Sequence, residues 1–105
     1  MESFKQISVG EAKKLIDGGN VTIVDVRDPG SFQAGHIKEA VAVNDQNIAE
    51  FIKATDKNKP VLCYCYHGFS SQGAAEYFKQ NGFTEVFSLE GGFEAWKVEC
   101  PFTSD

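Results

Sequence analysis

The sequence predicts an α/β domain, a parallel sheet covered by helices on both faces, and three observations lead there. Strand-favouring runs alternate with helix-period stretches along the chain. The run "VTIVDV" at 21–26 is strand-favouring at every position but Asp25, as in a strand buried on both faces rather than one. Helix start and stop signals fall between the strands, where right-handed crossovers belong.

Taken in order, Ser8-Val9-Gly10-Glu11 is a capping box, and Ala12, Leu15 and Ile16 recur at helical spacing until Gly18-Gly19. The strand Val21 to Val26 follows, and Asp28-Pro29 form an N-cap and first-turn pair opening a short helix toward Gly35. Ala40 to Val43 reads as a short strand, and Asn44 or Asp45 as the cap of a helix carrying Ile48, Phe51 and Ile52 on one face. Pro60 admits the strand Val61 to Tyr64. A helix from about Ser71 to Gln80 stops at Asn81-Gly82, Val86 to Leu89 is a strand, and Gly91-Gly92 precede a last helical turn through Trp96. The tail after Pro101 is expected to be mobile. No repeat, low-complexity segment or linker interrupts this order.

At 105 residues the chain fits one domain, 1–105, able to bury a core without disulfides or metal. Hydrophobic residues at 42% and charged residues at 24% are ordinary globular values, which argues against disorder. A net charge of −5, one arginine and scattered lysines argue against a nucleic-acid footprint. Met1-Glu2-Ser3-Phe4-Lys5 lacks a signal-peptide layout and no apolar run is long enough for a membrane span, so a cytoplasmic protein without a membrane partner is expected.

The three cysteines, Cys63, Cys65 and Cys100, are an odd set that favours reduced thiols over a disulfide framework. One residue between Cys63 and Cys65, with only His36 and His67 to add, does not make a structural zinc pattern, and neither metal nor cofactor is expected.

Cys65 is the candidate nucleophile. It stands where a strand ends and a loop turns into a helix N-terminus, so unpaired backbone N–H groups and the positive end of the helix dipole converge on it. That field favours thiolate over thiol. Gly68 and Gly73 permit unusual backbone, and the loop Tyr66, His67, Gly68, Phe69, Ser70, Ser71 is the expected cradle for a substrate anion. Ser70 and Ser71 have two readings, hydrogen bonding to Cys65 or capping the helix, and capping is favoured for at least one. A dipole-activated thiolate needs no imidazole, so His67 is read as facing solvent. Phe69 shapes an apolar rim. Cys63, two residues earlier in the strand, shares the face of Cys65 but lies deeper, in the core. Cys100, beside Pro101, is read as exposed.

Three segments, "VDVRDPGSFQAGHIKEAV" (24–41), "CYHGFSSQGAA" (65–75) and "GGFEAW" (91–96), in this order and spacing resemble the rhodanese family of sulfurtransferases. The resemblance covers nearly the whole chain. It implies a five-stranded parallel sheet and a persulfide mechanism in which the Cys65 thiolate takes the outer sulfur of thiosulfate and releases sulfite. The sulfur would then pass to cyanide in an assay, or to small thiols and dithiols such as reduced thioredoxin in cells. In the first segment, Asp25, Arg27 and His36 are assigned structural pairing that braces the active loop. Gly91 and Gly92 are assigned close backbone packing, and Trp96 the core.

One departure stands out. Gln72 occupies a position where single-domain members of the family can carry lysine, leaving backbone N–H groups, hydroxyls and His67 to hold thiosulfate. Weak thiosulfate binding or a different sulfur donor follows as an alternative, as does a sulfur-carrier or protein-binding module. A phosphatase of related fold would need an arginine at the sixth position after the cysteine, to match the equatorial oxygens of a phosphoryl group. That position is Ser71.

Overall fold

A computed structural model describes residues 4–104. Residues 1–3, part of the stretch read for a signal peptide, and residue 105, the last of the tail, lie outside the described region. The elements are β1 (Lys5–Ile7), α1 (Val9–Asp17), β2 (Thr22–Asp25), α2 (Pro29–Ala34), β3 (Val41–Ala42), α3 (Ile48–Ala54), β4 (Val61–Tyr64), α4 (Ser70–Gln80), β5 (Val86–Leu89) and α5 (Gly92–Glu99). The five strands form one parallel sheet in the order β1-β5-β4-β2-β3. Strand β4, which leads into Cys65, is therefore central.

The period of two along β4 divides the core into two layers. Leu62 and Tyr64 face Val9 and Ala12 of α1 and Phe93 and Trp96 of α5. Val61 and Cys63 face Ile52 of α3 and Ala75 and Phe78 of α4. All four β4 side chains are fully buried, which accounts for the unbroken apolar run at this point of the sequence.

The predicted helix starts at Ser8 and Asp28 are present in atomic detail. Ser8 Oγ accepts the Glu11 N–H at 3.2 Å while Glu11 Oε1 accepts the Ser8 N–H at 2.9 Å. The Asp28 carboxylate accepts the Ser31 N–H at 3.0 Å, with Pro29 as the first helical residue.

Several boundaries differ, each for a local reason. Strand β1 carries no sequence signal, because it is three residues long and owes its existence to pairing with β5. Neither Asn44 nor Asp45 caps α3. Its N-cap is Asn47, because Asn44 Oδ1 is taken by the N–H groups of Gln46 and Asn47 in a turn before the helix. Helix α5 runs past Trp96 to Glu99 and gives way to extended backbone at Cys100, as a following proline requires.

The tail is anchored rather than loose. His36 and Thr103 exchange both backbone hydrogen bonds, at 2.7 and 2.9 Å, and the Phe102 ring meets Phe93 edge-on. The reading of Cys100 is also corrected: it is buried in the core layer that holds Ala12 and Trp96, and the Trp96 indole N–H donates to the Pro101 carbonyl at 2.9 Å. Among the described residues no helix is long and apolar enough to cross a membrane.

Candidate active site

Cys65 is the first residue after β4, and five residues separate it from Ser71 in the first turn of α4. Helix α4 has Phe69 at its N-cap and no side-chain capping bond, so its leading N–H groups remain available. The Ser71 N–H points at Cys65 Sγ at 3.2 Å, and the Gly68 N–H reaches the same sulfur at 3.2 Å. The Ser71 hydroxyl lies 3.4 Å from Sγ and 2.8 Å from Ser88 Oγ, forming a buried relay from the sulfur into β5. Of the two readings of Ser71, hydrogen bonding to Cys65 is the one observed. Ser70 is exposed and caps nothing.

The loop keeps this shape because glycines let other backbone approach it. Gly68 sits at φ +95°, and a Cβ there would lie 3.0 Å from Gly91 N and 3.1 Å from Leu89 O. Gly92 is tighter still: at φ +60°, its Cβ would fall 2.4 Å from the Tyr66 carbonyl oxygen. That contact lets α5 spend its first-turn N–H groups on the loop, Phe93 N–H to Cys65 O at 2.8 Å and Glu94 N–H to Tyr66 O at 3.1 Å. Gly73 does not belong to this set. It has ordinary helical backbone inside α4 with open space where a Cβ would stand.

Burial is the largest influence on the Cys65 thiol and pushes its pKa up. Hydrogen bonds from the Ser71 hydroxyl and from the N–H groups of Ser71, Gly68 and His67 outweigh it and hold the value below that of an ordinary cysteine. At Cys63 nothing opposes burial, and proximity to the Cys65 charge adds to the upward push. Cys63 is fully enclosed between Val24, Val61 and Ala75, as its place in the strand implied.

Around the loop the first segment acts as a brace. Arg27 donates through Nε and Nη2 to the buried Asp25 carboxylate, the shortest contact being 2.6 Å, and through Nη2 to the Gly35 carbonyl at 2.6 Å. Its guanidinium lies 4.3 Å from the Phe93 ring centroid and also faces Tyr64 and Tyr66. His36 bonds through Nδ1 to the Phe32 carbonyl at 2.7 Å and stacks on that ring.

The Tyr66 hydroxyl bonds to Asp28 and Ser31 at the start of α2. These bonds, Tyr66 first, draw the exposed Asp28 carboxyl down to a pKa of about 2. The His67 side chain is exposed, and Phe69 is 77% exposed, forming the apolar rim. One contributor escaped sequence reasoning, and a second was read only for the charge it lacks. Ser88 supports Ser71 from β5, with only an out-of-place polar residue in a buried strand to mark it. Gln72 donates its side-chain amide to the Gly68 carbonyl at 2.8 Å and so steadies the loop from α4.

The model of the rhodanese-like domain matches residues 8–99. The chain belongs to the rhodanese family. Among its rhodanese relatives is a protein named thiosulfate sulfurtransferase GlpE from Pseudoalteromonas translucida, 46% identical over 96 residues, 91% of each chain. A protein of the same name from Coxiella burnetii is 47% identical over 102 residues, covering 97% of this chain and 94% of the relative. The fold is likewise that of solved rhodanese-like proteins. A rhodanese-related protein from Thermoplasma volcanium superposes with a TM-score of 0.83 at 25% identity, covering 97% of this chain and all of the other. A rhodanese-like domain protein from Staphylococcus aureus gives 0.77 at 32% identity, over 89% and 91%.

Proposed function

We propose that this sulfurtransferase of the rhodanese family carries sulfur on Cys65, with thiosulfate as donor, and works as one domain. The observation that carries the reading is the convergence of the Ser71 and Gly68 N–H groups on a buried sulfur. In the first half-reaction the Cys65 thiolate attacks the outer sulfur of thiosulfate. A new S–S bond forms to Cys65, the old one breaks, and its electron pair leaves with sulfite. The persulfide charge then rests on the outer sulfur, one S–S bond beyond the N–H groups that hold Sγ.

In the second half-reaction an acceptor attacks the outer sulfur and Cys65 departs as thiolate. Cyanide, giving thiocyanate, serves as the assay acceptor, while small thiols and reduced thioredoxin serve in the cytoplasm. The Tyr66, His67, Gly68, Phe69, Ser70, Ser71 loop forms the substrate-binding wall, with His67 and Ser70 exposed beside the entrance. Thiocyanate production from thiosulfate and cyanide tests the reading. Wild type should turn over and Cys65→Ser should not, and retained turnover in that variant would overturn it.

A further inference from the structure

Beside the active loop the surface opens into a cleft of about 710 Å³, which a small inorganic donor does not require. Its apolar lining comes from Val26, Val43, Ile48, Ala74 and Tyr77. Val26 follows β2 directly and donates its N–H to the Tyr64 carbonyl at 3.0 Å, which sets it alongside Cys65. Since Val24 and Cys63 are register partners in the layer that α3 and α4 cover, Val26 and Cys65 share that side of the sheet. Ser70, next to the sulfur ligand Ser71, forms the lip between loop and cleft.

Three features say what the cleft is shaped for. Clefts of this size enclose organic molecules rather than simple anions. Gly73, a poor helix former inside α4, has no crowded neighbour and no unusual φ to explain it, and its effect is to leave the cleft wall bare. Among the described residues that line it, the one that carries charge is Asp45, which is exposed.

We propose that this cleft seats the organic body of the sulfur acceptor, an apolar thiol that is neutral or cationic, and that Asp45 discriminates against anionic ones. The proposal rests on the persulfide reading of Cys65. With the thiol body in the cleft, its thiolate attacks the outer sulfur of Cys65–S–SH. The bond to Cys65 breaks, Cys65 leaves as thiolate, and the acceptor departs as its own persulfide. Tyr77, which lines the cleft and is 44% exposed, supplies aromatic surface for such a body.

The test compares cyanide with three benzyl mercaptans that carry aminomethyl, hydrogen or carboxylate at the para position, remote from the thiol. Wild type should use the aminomethyl and unsubstituted compounds several-fold better than the carboxylate, mainly through KM. Gly73→Leu, which places a good helix former in open space, should lower benzyl mercaptan use several-fold relative to cyanide. Asp45→Asn should narrow the gap between the amine and the carboxylate, and salt should narrow it in wild type. Equal use of the three thiols, or a Gly73→Leu variant whose ratio of benzyl mercaptan to cyanide turnover is that of wild type, would overturn the proposal. Single-turnover sulfite release from thiosulfate, measured alongside, separates the two levels. Its absence in wild type removes the persulfide reading, whereas its presence with no thiol ranking removes the cleft alone.

Discussion

The Ser71 N–H points at Cys65 Sγ from 3.2 Å, and it is available because no side chain caps α4. An unsatisfied helix end is normally a cost; here the sulfur takes the place of the cap. The Ser71 hydroxyl completes the arrangement, supported in turn by Ser88.

Ser71→Ala should therefore raise the Cys65 pKa. Thiolate alkylation by iodoacetamide, followed against pH, should show its acid limb displaced to higher pH and a several-fold lower rate near neutrality. The folded-state value is lowered in wild type, so its stabilising contribution is fully present above the unfolded thiol pKa and is lost as pH falls through the folded one. The variant should show a weaker rise of stability with pH. Leaving Ser88 without its buried partner should cost a further ~1–2 kcal/mol in denaturant unfolding. An unchanged alkylation profile would remove the Ser71 hydroxyl from the cradle.

Cys63→Ala should leave turnover per folded molecule close to wild type. Its sulfur is sealed in the core, and removing it should cost on the order of 1 kcal/mol, below the range for larger aliphatic truncations. A loss of rate as deep as that of Cys65→Ser, with the fold intact, would mean that Cys63 takes part in sulfur relay.

Much of this site is legible in the sequence because its causes are local. Asp28-Pro29 and Ser8 with Glu11 announce their helices through bonds that span three residues. The strand, loop and helix around Cys65 locate the nucleophile in the same way. What the sequence hides is long-range. Strand β1 exists through β5, the tail is held through Thr103 and His36, and Cys100 is buried in the core layer it shares with α1 and Trp96. The choice of Ser71 between capping and sulfur binding depends on where Sγ lies, which only the assembled sheet determines.

Gly92→Ala tests the packing that holds the loop. The added methyl would meet the Tyr66 carbonyl at 2.4 Å, and backbone cannot move aside as a flexible side chain does. Overpacking and left-handed strain together should cost about 3 kcal/mol, read as a lower Tm, and activity should fall more than folded fraction because Tyr66 and Cys65 shift together. Wild-type stability and turnover would show that α5 does not fix the loop.

Gln72→Lys addresses donor binding. Gln72 holds the Gly68 carbonyl, a bond that a lysine ammonium can also donate, while adding charge beside the sulfur cradle. The KM for thiosulfate should drop several-fold at low salt, corresponding to about 1 kcal/mol for a partly exposed charge. Salt should erode the gain, because screening acts over about 8 Å at physiological ionic strength. Equal KM values at low salt would mean that position 72 does not face the donor.

The central claim is that Cys65 carries the transferred sulfur, and the most direct measurement is peptide mass spectrometry after incubation with thiosulfate under non-reducing conditions. One added sulfur atom on the peptide containing Cys65, assigned to that residue by fragmentation and absent from Cys65→Ser, is the predicted result. An unmodified Cys65, or the added sulfur on Cys63 or Cys100 instead, would contradict it.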